Sequence, residues 1–268
     1  MVIQQSRPII ELEPNFVQRV KTEGDTYKID AEGLHYRELN KILRAICSSD
    51  AEKVEIHGVC GQRYIGTDID RNMQIDIYGT PGNDLGAFMN GPRINVYGNV
   101  QDACGNTMND GLIVVHGCAG DLTANSMRGG KILVREGVGY RVGIHMKEYQ
   151  NKKPTLVVGG VGQDFFGEYM AGGVALVLGL SMETGEKCLA RFVGTGMHGG
   201  VIYTRGDIFK LSEGCKIAKA GKRDMRVVES LVREFCDHFG DKIADVMDRQ
   251  FYKITPLSRR PYEKLYSH

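Results

Sequence analysis

Proline is scarce in this chain, with 7 residues in 268 against 35 glycines. Proline removes a donor from a strand ladder, so its scarcity suits a chain built from paired strands. A surplus of either charge is also missing: 34 basic residues nearly balance 33 acidic ones, for a net charge of +1. That argues against a nucleic acid or a membrane surface engaged by bulk charge. No run of 18 apolar residues occurs, so no transmembrane helix is expected. The start, Met1-Val-Ile-Gln-Gln-Ser-Arg-Pro8, lacks the apolar stretch of a signal peptide. The 7 cysteines (Cys47, Cys60, Cys104, Cys118, Cys188, Cys215 and Cys236) form no CxxC pair. They are expected as buried, reduced thiols of a cytosolic protein.

What the chain has is a recurring phrase: a small residue, two variable residues, then methionine. It reads Gly86-Ala-Phe-Met89, Gly105-Asn-Thr-Met108, Ala124-Asn-Ser-Met127, Gly143-Ile-His-Met146, Gly167-Glu-Tyr-Met170 and Gly194-Thr-Gly-Met197. A further copy, Gly66-Thr-Asp-Ile69, carries isoleucine in the methionine slot. Steps between slots are 20, 19, 19, 19, 24 and 27 residues. A fixed period of this size means stacked structural units.

Short strands sit between the phrases: Val54–His57, Ile75–Tyr78, Ile94–Tyr97, Ile113–His116, Ile132–Arg135, Thr155–Val158, Ala175–Leu178 and Val201–Thr204. Several alternate apolar and polar residues, as half-buried strands do. The period is too short for βαβ units, which need roughly 30 residues. The expected fold is therefore mainly β: a single-stranded, right-handed parallel β-helix of about seven coils stacked ~4.8 Å apart. Six of the 11 methionines fall in the repeat slot. Unbranched, adaptable side chains in equivalent slots fill a narrow axial core. This reading accounts for those methionines better than a thioether copper site does.

Three segments are expected. Residues 1–50 hold a helix with Leu39, Ile42, Leu43, Ile46 and Cys47 on one face, placed to cap the open end of the rod. Residues 51–206 form the β-helix. Residues 207–268 form a helical tail: a helix capped by Asp224, bearing Val228, Leu231, Val232, Phe235 and Phe239 and closed by Gly240, then a shorter one from Asp241 to Met247 and an extended stretch, Phe251–Pro256. Lys216, Lys219, Lys222, Arg223 and Arg226 form a basic cluster before the helix. It reads either as a solvated linker or as a dock for an acidic partner.

Motifs with chemical potential are few. Gly194-Thr-Gly-Met-His-Gly199 matches G-x-G-x-x-G, but a strand follows it where a dinucleotide site needs a helix. Gly159-Gly-Val-Gly162 fails likewise. Asp102, Asp121 and Asp164, with Asn83 at the same offset, stand three residues before their small residue. A calcium row would need an unbroken series, and Arg63, Tyr140 and Arg191 interrupt it, so turn capping of each residue's own backbone is the expectation. His57 and His116 share a slot with Tyr78 and Tyr97 and form a half-exposed stripe; His35, His145, His198, His238 and His268 join no cluster. No HExxH, GxSxG or Cys–His arrangement occurs. No catalytic, cofactor-binding or metal-ligating residue is assigned.

The stretch Glu168-Tyr-Met-Ala-Gly-Gly-Val-Ala-Leu-Val-Leu-Gly179 resembles the C-terminal domain of the glutamate synthase large subunit, the GXGXG β-helix family. Asp121-Leu-Thr-Ala-Asn-Ser-Met-Arg-Gly-Gly130 and Gly58-Val-Cys-Gly-Gln-Arg-Tyr-Ile-Gly66 look like other coils of that family, over about residues 30–206. The tail Phe251-Tyr-Lys-Ile-Thr-Pro-Leu257 is similar to the segment that closes glutamate synthase. The β-helical subunit of formylmethanofuran dehydrogenase shares the coils, without the helical tail.

The resemblance implies a non-catalytic spacer. Its partners would be a glutamine amidotransferase (glutaminase) and an FMN- and iron–sulfur-bearing glutamate synthase subunit, so no cofactor is expected on this chain. The setting would be ammonia assimilation in the cytoplasm. Nucleic-acid and membrane partners are not expected, and a homo-oligomer is compatible with the sequence. The alternatives are a structural subunit of a formylmethanofuran-dehydrogenase-like complex, or a stand-alone binding module.

Overall fold

A computed structural model describes residues 14–182, 186–208 and 210–258. It is mainly β: a parallel β-solenoid of about 6 turns with few helices. The elements run α1 (Pro14–Val17), β1 (Val20–Glu23), β2 (Thr26–Asp30), α2 (Tyr36–Cys47), β3 (Lys53–Cys60), β4 (Gln74–Thr80), β5 (Asn90–Tyr97) and β6 (Asp110–Val115). They continue with β7 (Lys131–Val134), β8 (Thr155–Val158), β9 (Ala171–Val177), β10 (Gly199–Arg205), β11 (Cys215–Lys219), α3 (Lys222–Phe239), α4 (Ile243–Val246) and β12 (Phe251–Pro256).

All strands join one 12-stranded sheet in the order β1-β2-β3-β4-β5-β6-β7-β8-β9-β10-β12-β11. From β2 to β10 every neighbour is parallel and follows directly in sequence. Each of the strands read from the sequence is present, and equivalent residues pair: Ile75 with Ile94, Ile94 with Ile113, Ile113 with Ile132. The ladder starts at β2, ahead of residue 51, and β1 adds antiparallel to it. A second row of parallel bridges links Val100, Ala119, Val138, Gly162, Leu189 and Ile208, one per turn.

The methionine row is the axial core. Met89, Met108, Met127, Met146 and Met170 are fully buried and Met197 nearly so. They share one cluster with Ile75, Ile94, Ile113 and Ile132 of the strands and with Leu39, Ile42, Leu43 and Ile46 of α2. α2 begins with a reciprocal cap: His35 accepts from the Arg37 N–H, and Glu38 accepts from the His35 N–H at 3.0 Å.

The corner before each methionine has a repeating backbone. In the turn at Leu122–Ser126, the residues Leu122, Ala124 and Ser126 have φ of 59°, 62° and 53°. The same three positions are left-handed in every other turn, and Gln150 is the single non-glycine residue with positive φ outside them among the described residues. Left-handed backbone costs an L-residue roughly 1–2 kcal/mol. Inter-turn hydrogen bonds hold it in place. The N–H groups of Leu122 and Ser126 donate forward to the Tyr140 and Ile144 carbonyls at 2.9 and 2.8 Å, and that of Ala124 donates back to Cys104 at 2.8 Å.

The tail contains strands as well as helices, and the stretch expected to be extended is β12. β12 runs antiparallel to β10, and β11 antiparallel to β12, so residues 215–219 are a strand rather than a linker. α3 starts at Lys222 with Gly221 at its N-cap; Asp224 sits at N3 and accepts from the Gly221 N–H at 3.1 Å. Gly240 closes it with φ 78°, a conformation that favours glycine. The short helix is Ile243–Val246, within the expected span. α3 lays Val228, Leu231, Val232 and Phe235 over Val114, Leu133, Val157 and Leu176 on the outer face of the sheet, forming a second core. An amphipathic helix in this place could cover the rod or face a partner; it covers the rod.

Candidate interaction surface

The solenoid interior is filled by its own side chains, so chemistry is confined to outward positions. The middle residue of each strand points away from the axis. In β3–β5 it is polar: Glu55, Asp76 and Asn95. Lys53 Nζ lies 3.0 Å from Glu55 and 3.1 Å from Asp76. Asn95 Nδ2 donates to Asp76 Oδ1 at 2.6 Å, and Gln74 Nε2 donates to both Asp76 oxygens at 3.0 and 2.9 Å. Hydrogen bonding from Lys53 holds the Glu55 carboxyl below its usual range. These groups satisfy one another.

Two residues further on, His57, Tyr78, Tyr97 and His116 stack as a column with centroids 4.4, 4.9 and 4.8 Å apart. Phe239 of α3 closes it edge-on at 5.3 Å. This is the stripe read from the sequence. Burial lowers the His116 pKa. A second column stands on the left-handed corner: Arg141 over Phe165 at 5.1 Å, Phe165 on Phe192 at 4.9 Å and 15°, and Lys210 over Phe192 at 5.6 Å. Cation–ring–ring–cation order of this kind is stabilising even at exposed sites.

The aspartate row differs from expectation. Asp102 Oδ1 accepts from the Asp121 N–H at 2.9 Å, Asp121 Oδ1 from the Tyr140 N–H at 2.8 Å and Asp164 Oδ1 from the Arg191 N–H at 2.8 Å. Each carboxylate therefore stitches its turn to the next instead of capping its own backbone. The cysteines also need correction. Cys104, Cys188, Cys215 and Cys236 are buried and Cys47 is half-buried, but Cys60 and Cys118 are exposed. Among the described residues, no group of three or more His, Cys, Asp and Glu side chains could hold a metal ion. The glycines at 194–199 lead into β10, a strand.

Two of the open clefts among the described residues lie beside the solenoid. One, about 720 Å³, is lined by Asp50, Glu52, Arg71, Asn72, Gln74 and Arg93. Its Arg71 guanidinium is already committed, donating to the carbonyls of Cys47 at 2.9 Å, Ala51 at 2.7 Å and Ser49 at the end of α2. The other, about 410 Å³, holds Lys131, Lys152 and Lys153. These lysines are paired with Glu234, Asp110 and Glu148. What these surfaces present is stacked edges and paired charges on a rigid rod.

The sequence pattern of the GXGXG motif family matches residues 38–257, from α2 through β12. The chain belongs to the GXGXG family. The match takes in the tail strands and helices as well as the coils, so α3 and β12 are part of what the GXGXG pattern describes. An uncharacterized protein of Methanocaldococcus jannaschii is 46% identical over 249 residues, covering 89% of this chain and 95% of that protein. In three dimensions the chain is similar to a chain of the formyltransferase/hydrolase complex from Methylorubrum extorquens, whose crystal structure contains methylofuran. The TM-score is 0.53 at 18% identity, over 74% of this chain and 70% of that one. At that identity the likeness shows the shared β-solenoid. No helix among the described residues is long and apolar enough to cross a membrane.

Proposed function

We propose that this chain is a non-catalytic scaffold subunit of a cytoplasmic, multi-subunit oxidoreductase of the glutamate synthase type. It would hold a glutaminase and an FMN- and iron–sulfur-bearing synthase subunit in register. The observation that carries the reading is the filled axis: the methionine row and strand isoleucines occupy the interior of a GXGXG solenoid. Such a rod offers rigid outer faces for docking and no cavity on its axis for a substrate. In this reading the rod winds right-handed, as nearly all parallel β connections do, counts about seven coils and is capped by α2.

A second reading is a structural subunit of a formylmethanofuran-dehydrogenase-like assembly. The solved solenoid that this chain overlays, part of a formyltransferase/hydrolase complex, favours it. One experiment separates the two: native purification of the tagged chain at its chromosomal level, with mass spectrometry and a visible spectrum. Co-elution of a glutaminase and a flavin–iron–sulfur protein supports the first reading, and recovery of formyltransferase and hydrolase components supports the second. A stoichiometric chromophore on the isolated chain would overturn the scaffold role.

A further inference from the structure

Among the described residues, β11 is the last strand of the sheet, bonded on one side to β12 and open on the other. An open edge leaves alternate backbone N–H and C=O groups unpaired and is a template for another strand. Lys216, Ile217, Ala218 and Lys219 are all exposed, so both faces of this edge are accessible. Lys222, Arg223 and Arg226 continue the rim on the first turns of α3. Among the described residues, none of these five cations has a hydrogen-bond or ion-pair partner, whereas nearby Asp224 is taken by Lys253 at 2.7 Å and Tyr203 at 2.9 Å. Beside them Arg223, Arg226, Val227, Ser230 and Leu231 line a cleft of about 380 Å³ on one helix face. Ile217 and Val227 are exposed at 41% and 39%.

We infer that the open edge of β11 with its basic rim docks an acidic, extended segment of a partner subunit, which adds to the sheet as a further strand. The inference rests on the subunit reading above. Charge complementarity selects the occupant: five unpaired cations favour carboxylates, and strand addition supplies main-chain bonds with pockets for alternate apolar side chains. A second copy of this chain is disfavoured. Its β11 would bring like charges together, and its β1 edge, Val20-Lys-Thr-Glu23, carries no net charge. Nucleic acid is disfavoured because residues 215–230 contain no aromatic ring on which a base could stack.

The test uses the full chain and an acetylated octapeptide of alternating Glu and Val. Titration calorimetry should show saturable binding that weakens at least ~10-fold between low and physiological salt. Hydrogen exchange should show new protection at residues 215–219. The K216E/K219E/R223E/R226E variant changes only exposed side chains; it should keep the wild-type melting temperature and lose at least ~10-fold in affinity. Methylating alternate peptide amides should abolish binding, because it removes the edge hydrogen bonds. No binding, no protection of β11, or unchanged affinity of the methylated peptide would overturn the inference. So would an oligonucleotide that binds more tightly through the same cations. The subunit reading is scored separately: if the quadruple variant still co-purifies with its partners, the docking edge is wrong and the subunit role stands. If the wild type purifies alone, the subunit role falls, and the peptide titration alone decides whether β11 accepts acidic strands.

Discussion

The guanidinium of Arg205, at the end of β10, donates from Nε to the Val246 carbonyl of α4 at 2.7 Å. Its other nitrogens reach the carbonyls of Leu178 and Asp245 at 3.4 and 3.3 Å and the Asp248 carboxylate at 2.6 Å. Arg205 is 5% exposed. The buried guanidinium therefore fastens the tail to the solenoid. Arg205→Leu would leave the carbonyls of buried Val246 and Leu178 unpaired, and each such loss costs about 1–3 kcal/mol. The expected outcome is a destabilisation of about 3 kcal/mol in urea melts, with α4 exchanging its amides first.

Met127 is fully buried in the axial row. Met127→Lys removes a core side chain and leaves a charge without a partner, and should destabilise by about 3–5 kcal/mol. Met127→Leu conserves volume and should cost under about 1.5 kcal/mol. Equal thermal melts for the two variants would contradict an axial methionine row.

The strands and the methionine row were legible because a stacked fold repeats each environment once per turn, so the sequence repeats with it. The position of α3 was harder to read, yet it left a trace. The middle strand residue is polar in Glu55, Asp76 and Asn95 and turns apolar in Val114, Leu133, Val157 and Leu176, and that apolar run lies beneath the helix. The switch marks the covered part of the outer face. The partners of Asp102, Asp121 and Asp164 were not legible, because in a solenoid the next turn lies as close as the next two residues of the same turn. β11 was hidden because lysines on an exposed edge have the composition of a linker.

The cysteines should separate by accessibility. Burial pushes the thiol pKa of Cys104 up to about 12 and those of Cys47 and Cys188 up to about 11. Cys60 and Cys118 are exposed, and Cys118 is raised by partial burial and by its 3.0 Å contact with Glu136. A thiol reagent at pH 8 should label Cys60 fastest, then Cys118, and all 7 only after denaturation. Peptide mapping after brief labelling checks the order.

Gly105 and Gly143 occupy the same corner slot with φ of 68° and 71°. A Cβ at Gly105 would strike the Ile132 Cδ1, whereas at Gly143 the nearest atom is 4.0 Å away. Gly143→Ala should therefore cost only the left-handed strain, roughly 1–2 kcal/mol. Gly105→Ala adds overpacking and should cost about 1–3 kcal/mol more. Ala124 already stands in this slot at 62°, which shows that the corner admits a methyl where the neighbouring turn leaves room.

Stability should fall on mild acidification, and the sign follows from the ring column. Burial lowers the pKa of His116, and burial followed by the nearby Arg93 lowers that of His238. Arg93 lies 3.3 Å from His238 Nδ1. The unfolded chain, with histidines at about 6.5, binds more protons than the folded one as pH drops through that value. The stabilisation is complete above about pH 6.5 and is lost as pH falls through the lower folded-state values. Carboxylates add their own acid sensitivity, so the informative quantity is a difference between proteins. His116→Phe keeps a ring between Tyr97 and Phe239 and removes the proton site. Its melting temperature should drop less than the wild type's between pH 7.5 and pH 5.5. Parallel melting curves across that range would show that the column does not carry the histidine contribution.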